Sequence, residues 1–134
     1  MRTFYIFKIN KEFKIITKDK PYNLYLALDN IYRMDAKDIN LAYTLFDQIC
    51  DVSKTVNINS SIFNELKDND TYTKFNNSHL IYDYYSQENS KLTINTSYIK
   101  LKSTSNNPIF FKTLKNIPNL FVVDFGSKDY FWLS

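Results

Sequence analysis

Apolar residues along the chain follow two different rhythms, and the rhythm changes from segment to segment. From Thr3 to Asn10 (TFYIFKIN) aromatic and β-branched residues alternate, with Phe4 and Ile6 on one side and Tyr5, Phe7 and Ile9 on the other. A strand apolar on both faces belongs in the interior of a sheet. Lys11 to Lys20 is mixed, and Phe13, Ile15 and Ile16 suit an extension of that strand or a hairpin partner. Pro21 then fits a first helical turn, where its missing N–H costs nothing, and Leu24, Ala27, Leu28 and Ile31 follow at i, i+3, i+4 and i+7. The spacing predicts a helix over about Pro21 to Arg33. Asp35 and Asp38 resemble a capped start, and Ile39, Ala42, Tyr43, Phe46, Ile49 and Cys50 keep one stripe through a second helix.

Beyond Asp51 the signal weakens. Val56 and Ile58 alternate with polar neighbours as in a short strand, and Ser60 or Ser61 suits the cap of a helical turn through Ile62, Phe63 and Leu66. Lys67 to Ser78 (KDNDTYTKFNNS) reads as a mobile polar loop. His79 to Tyr85 and Lys91 to Ser97 read as a hairpin, with Tyr98 to Lys102 continuing as an edge. Asn107 before Pro108 suits a helix start, and the stripe of Phe110, Leu114 and Ile117 is closed by Pro118. Leu120 to Phe125 reads as a central strand, turning at Gly126 to Asp129 into a last strand, Tyr130 to Leu133. Helices and hairpins intermix without βαβ alternation. The expected class is α+β: a single-domain sandwich over residues 1–134, helices packed on a mostly antiparallel, mixed sheet.

Composition narrows the chemistry. A chain of 134 residues accommodates one domain. Its single glycine, Gly126, excludes Gly-rich phosphate loops, the dinucleotide fingerprint and the nucleophile elbow, all of which need several. One cysteine and one histidine cannot supply a Cys/His zinc site or an intrachain disulfide, and no cofactor or metal is expected. A reducing compartment follows. No run approaches the roughly 20 apolar residues of a membrane span, so a soluble, cytoplasmic protein is expected.

The remaining candidates carry modest readings. His79 has no partner at metal-binding spacing and reads as a polar strand-edge histidine. Cys50, on the apolar stripe, reads as a buried thiol rather than a nucleophile. Asp124, a charge in an apolar strand, needs a partner, and the turn at Gly126 and Ser127 offers amide donors. The lysines beside Phe4, Tyr5, Phe7 and Phe13 would suit a nucleic-acid module with an aromatic, basic N-terminal face. A net charge of only +3 argues against direct nucleic-acid binding. Recognition of another protein is the remaining alternative, and Phe13 is the aromatic best placed for it.

Both ends of the chain resemble a known family. Ile109 to Leu133 (IFFKTLKNIPNLFVVDFGSKDYFWL) resembles the closing segment of the SirA family, sporulation inhibitors of DNA replication, and Phe4 to Phe13 (FYIFKINKEF) resembles its first strand and Glu-Phe exit. The resemblance implies a non-enzymatic, monomeric regulator that binds the N-terminal domain of the initiator DnaA and covers a surface other partners need. It places the contact aromatic at Phe13 and a contact glutamine at Gln48. Thr17 is the third expected partner-binding position, and two positions depart from the family pattern: Thr17 stands where the family has an interface aromatic, and Phe131 where it has glycine.

Overall fold

The computed structural model describes residues 1–52 and 55–134. It begins with β1 (Arg2–Lys8), followed by α1 (Lys11–Thr17), α2 (Pro21–Tyr32), a 3-10 turn (Ala36–Asp38), α3 (Ile39–Ile49) and α4 (Thr55–Leu66). Four strands come next, β2 (Tyr72–Phe75), β3 (Ser78–Asp83), β4 (Glu88–Ile94) and β5 (Ile99–Ser103), and then α5 (Ile109–Leu114), β6 (Leu120–Asp124) and β7 (Asp129–Trp132). The strands form one sheet in the order β2-β3-β4-β5-β1-β6-β7, and every pairing is antiparallel. The α+β expectation therefore holds, with no parallel pair in the sheet.

The double-faced pattern of β1 follows from its place between β5 and β6. Phe4 and Ile6 join Leu92, Ile94, Ile99, Leu101 and Val122 in a core closed by α4 and α5. Phe7 and Ile9 turn the other way and join Phe121 and Val123 under α2 and the end of α3. β6 is buried at all five positions, as befits a strand covered on both sides. Phe131, where the family pattern has glycine, packs edge-to-face on Phe111 at 5.5 Å between centroids, filling the space between β7 and α5.

Several expectations are corrected. Lys11 to Thr17 is a helix and not a strand extension: Asn10 caps it, its Oδ1 accepting from the Phe13 amide at 2.7 Å, and Phe13 and Thr17 at i, i+4 face inward. Val56 and Ile58 lie in α4, whose buried residues Ile58, Ile62 and Leu66 recur at helical spacing, so Ser60 and Ser61 are interior positions and not caps. The segment read as a mobile loop contains the edge strand β2. Tyr84 and Tyr85 leave the sheet and are exposed in the β3–β4 turn. Neither Asp35 nor Asp38 makes a side-chain cap, and the stripe of α3 is buried only towards its end, leaving Ile39 and Tyr43 exposed. α5 is shorter than predicted, and its first amide is met by the buried Glu88 carboxylate of β4, Ile109 N to Oε2 at 3.2 Å, instead of by Asn107. A carboxylate from a distant strand does the capping there, which no local signal announces.

Candidate partner interface

α1 leaves β1 at once, and its orientation is set by one side chain. Asn10 caps the helix through Oδ1, donates through Nδ2 to the Gln48 carbonyl, and donates its own amide to the Ile49 carbonyl at 2.8 Å. Ile9 and Cys50 form an antiparallel bridge beside it, and the Asp51 amide donates to the Lys8 carbonyl at 2.8 Å. The start of α1 and the end of α3 are thus fastened together by backbone bonds. Phe13 and Gln48, 35 positions apart in sequence, come into one neighbourhood.

The inner side of α1 is anchored as well. Phe13 is half-buried against the core that holds Phe7, Ile9 and Leu24. Thr17 is 4% exposed, its hydroxyl donating to the Phe13 carbonyl at 2.7 Å. It supports the helix from behind and presents almost no surface. Lys14 reaches the C-terminal strands, donating to Asn119 Oδ1 at 2.8 Å with its ammonium 5.3 Å from the Trp132 ring centroid. The outer side carries Ile15 and Ile16, 74% and 68% exposed. Ile16 lies one turn beyond Phe13, next to its open edge. Gln48 is exposed at the end of α3. The sequence reading missed both isoleucines because a strand period scatters them, whereas the helical period puts Ile15 opposite Thr17 and Ile16 on the flank beside Phe13.

The polar candidates lie elsewhere. Cys50 is buried in the core under α2 and α3, where burial raises its thiol pKa well above the ordinary value, followed by the charges of Asp51 and Asp47. His79 faces the opposite side of the sheet, beside Leu92, so the two cannot form a thiolate pair. His79 is not the strand-edge histidine expected, because β2 covers the edge and the imidazole is fully buried. Its Nε2 donates to Asn59 Oδ1 at 2.7 Å, and its Nδ1 accepts from the Tyr72 hydroxyl at 2.7 Å, while Asn59 Nδ2 donates to Asn77 Oδ1 at 3.1 Å. An amide oxygen can only accept, which fixes that tautomer of the neutral ring. Burial, assisted by Lys74, pushes its pKa down to about 4.

Asp124 takes the partnered role expected of it. Its Oδ1 accepts from the Ser127 amide at 3.1 Å and its Oδ2 from Arg2 Nε at 2.9 Å, while Arg2 Nη2 donates to Asp129 at 2.9 Å. Burial would raise its pKa, but the Arg2 and Ser127 bonds outweigh that and hold it below the usual carboxylate value. Phe4 and Phe7 are buried on opposite faces of β1, so the N-terminal strand offers no aromatic platform for bases.

No helix of the described residues is long and apolar enough to cross a membrane. A search of curated proteins finds no match to the chain. The family model for the sporulation inhibitor of replication protein SirA matches residues 2–134, spanning both fastened helices and all seven strands, and the chain therefore belongs to the SirA family of sporulation inhibitors of replication.

Proposed function

We propose that this chain restrains the initiation of chromosome replication by binding the N-terminal domain of DnaA with the α1–α3 face and covering a surface that domain needs for other partners. Phe13 and Gln48 are the contact residues in this reading, Ile16 extends the apolar centre, and Thr17 holds Phe13 from behind. The observation that supports it is the Asn10 joint, which ties the backbone at the half-buried Phe13 to the backbone at the exposed Gln48. An aromatic anchored on its inner side loses little side-chain entropy on binding, which suits the centre of an interface. Occlusion requires affinity and no turnover, and the mechanism has no cofactor.

Calorimetry with the isolated N-terminal domain of the host DnaA at two salt concentrations tests the reading. One-to-one binding that weakens only mildly with salt is expected. Phe13→Ala should cost at least about 2 kcal/mol of binding in a protein that keeps its circular dichroism spectrum. Equal affinity in the folded variant would remove Phe13 from the interface.

A further inference from the structure

One half of the sheet has no helix over one of its faces. α4 and α5 cover the face that carries Phe4 and Leu92, and α2 and α3 cover the opposite face only over β1, β6 and β7. On that opposite face, strands β5 to β2 are open to solvent, with Lys91, Lys102, Tyr82 and Phe75 all exposed. Register determines what gathers there. Lys91 of β4 stands directly across from Lys102 of β5, and Lys100 pairs with Thr93 two positions along. Alternation places all four side chains outward on one side. They line a depression of about 130 Å³. No outward position of these four strands is acidic, and none of the three lysines forms an ion pair among the described residues.

Like charges directly across an antiparallel pair destabilise a sheet. Here the pair is joined by a third lysine, and none of the three is in an ion pair among the described residues. The carboxylate in the neighbouring depression that Lys100 and Lys102 also line is that of Asp124, which Arg2 already engages. An anion among the three lysines would therefore remove a repulsion that the free protein carries. The neighbouring surface adds flat apolar groups. Phe75 stands at one end of the cross-strand row that runs through Ser78, Thr93 and Lys100 to Tyr5, and Tyr82 lies on β3 beside the lysine row. Phe75 and Tyr82 are 70% and 65% exposed. Lysines that neutralise phosphates beside exposed aromatics on an open antiparallel sheet are the elements of single-strand recognition. Strands lie about 5 Å apart, so β5 to β2 spans roughly 15 Å, room for a few nucleotides.

We propose that the open half of the sheet binds a single-stranded nucleic acid, with Lys91, Lys100 and Lys102 holding backbone phosphate and Tyr82 and Phe75 stacking bases. An acidic peptide would satisfy the lysines but leave both aromatics unused. The inference does not depend on DnaA binding, which involves another face. It also relocates the nucleic-acid reading: β1 is too buried to serve, and the small net charge conceals a local cluster that only the strand register assembles.

Fluorescence anisotropy with labelled oligo(dT) and oligo(rU) tests it, on the full chain, between about 50 and 200 mM salt. Saturable binding is expected, with a log–log salt slope of about −2, as for three phosphate contacts on a single strand. Combined Lys91→Gln, Lys100→Gln and Lys102→Gln should weaken binding at least about tenfold at the lowest salt and flatten the slope. Tyr82→Ala should weaken it about fivefold or more and leave the slope unchanged. Lys18→Gln with Lys20→Gln should change little. Thermal melting of the triple variant should be no lower than that of the parent, because a repulsion has been removed; should it unfold, Lys102→Gln and Tyr82→Ala alone decide. Absence of saturable binding at the lowest salt, or equal binding by the lysine variants, overturns the proposal. Equal competition by polyglutamate would overturn the nucleic-acid assignment in favour of an acidic protein partner.

Discussion

His79 shows how far a single residue's surroundings outweigh its type. A lone histidine at the start of a polar-looking strand suggests an exposed ring, yet the imidazole is sealed between Tyr72, Asn59 and the core. Because its folded pKa of about 4 lies below the ordinary 6.5, the unfolded chain binds the proton more readily. Stability from this group is therefore complete above about pH 6.5 and is lost as pH falls towards 4, with about 2 kcal/mol gone by pH 5. Urea denaturation at pH 7.5 and pH 5 measures it, with His79→Gln as reference. The two proteins should differ in their pH response across that interval, and parallel profiles would contradict the sealed, neutral ring. At this scale the sequence was informative about Cys50 and Asp124, whose apolar neighbours already demand burial or a partner. It was silent on His79, because both partners lie on other elements.

At the scale of elements, the two misread helices share one cause. α1 and α4 are rich in isoleucine, valine, threonine and asparagine, residues that favour strands and turns when judged one at a time. Each is helical because a local or tertiary contact repays the weak propensity: the Asn10 cap for α1, and the buried row of Ile58, Ile62 and Leu66 for α4. α2 was legible because Pro21 and the i, i+3, i+4, i+7 stripe agree. Asn10 also joins α1 to α3, so its replacement is felt in two elements. Asn10→Ala should lower stability by about 1–2 kcal/mol and, if the proposed interface holds, should weaken binding of the DnaA domain, since the backbones at Phe13 and Gln48 would no longer be tied together. Chemical denaturation and calorimetry on the same preparation measure both effects; unchanged affinity in the destabilised variant would show that the joint is not part of the interface. Of the proposed site, Phe13 was legible both from the residues and from the family resemblance, and Gln48 came from the resemblance alone. The burial of Thr17 and the exposure of Ile15 and Ile16 became visible only once the segment was known to be a helix.

For the whole molecule, the decisive fact is that the first strand lies between the fifth and the sixth, paired with β5 on one side and β6 on the other. Arg2 secures that closure. It spans Asp124 at the end of β6 and Asp129 at the start of β7, with its guanidinium 4.5 Å from the Phe4 ring centroid. Removing it would strand the buried Asp124 carboxylate, so Arg2→Ala should cost about 2–3 kcal/mol, discounted for the partial exposure of the arginine. Equilibrium unfolding in urea at neutral pH would measure this; a loss below about 0.5 kcal/mol, the scale of an exposed pair, would mean the carboxylate is solvated. Asp124 is stabilised in its ionised form, so its contribution is present above its ordinary pKa near 4 and disappears as pH falls through its lower folded value.

The sequence by itself determined the class of fold, the doubly apolar strands β1 and β6, the helix at Pro21 and the lack of Gly-rich motifs, because alternation, helical spacing and residue counts are local properties that packing leaves intact. It also carried the family, through motifs at its two ends. The tertiary structure decided which side of each marginal helix faces the core, that Asn10 brings Phe13 to Gln48, that Glu88 caps α5, that His79 is sealed, and that three lysines meet on one open face. Those features depend on register and on contacts between segments far apart in the chain, and a pattern read along one dimension contains neither.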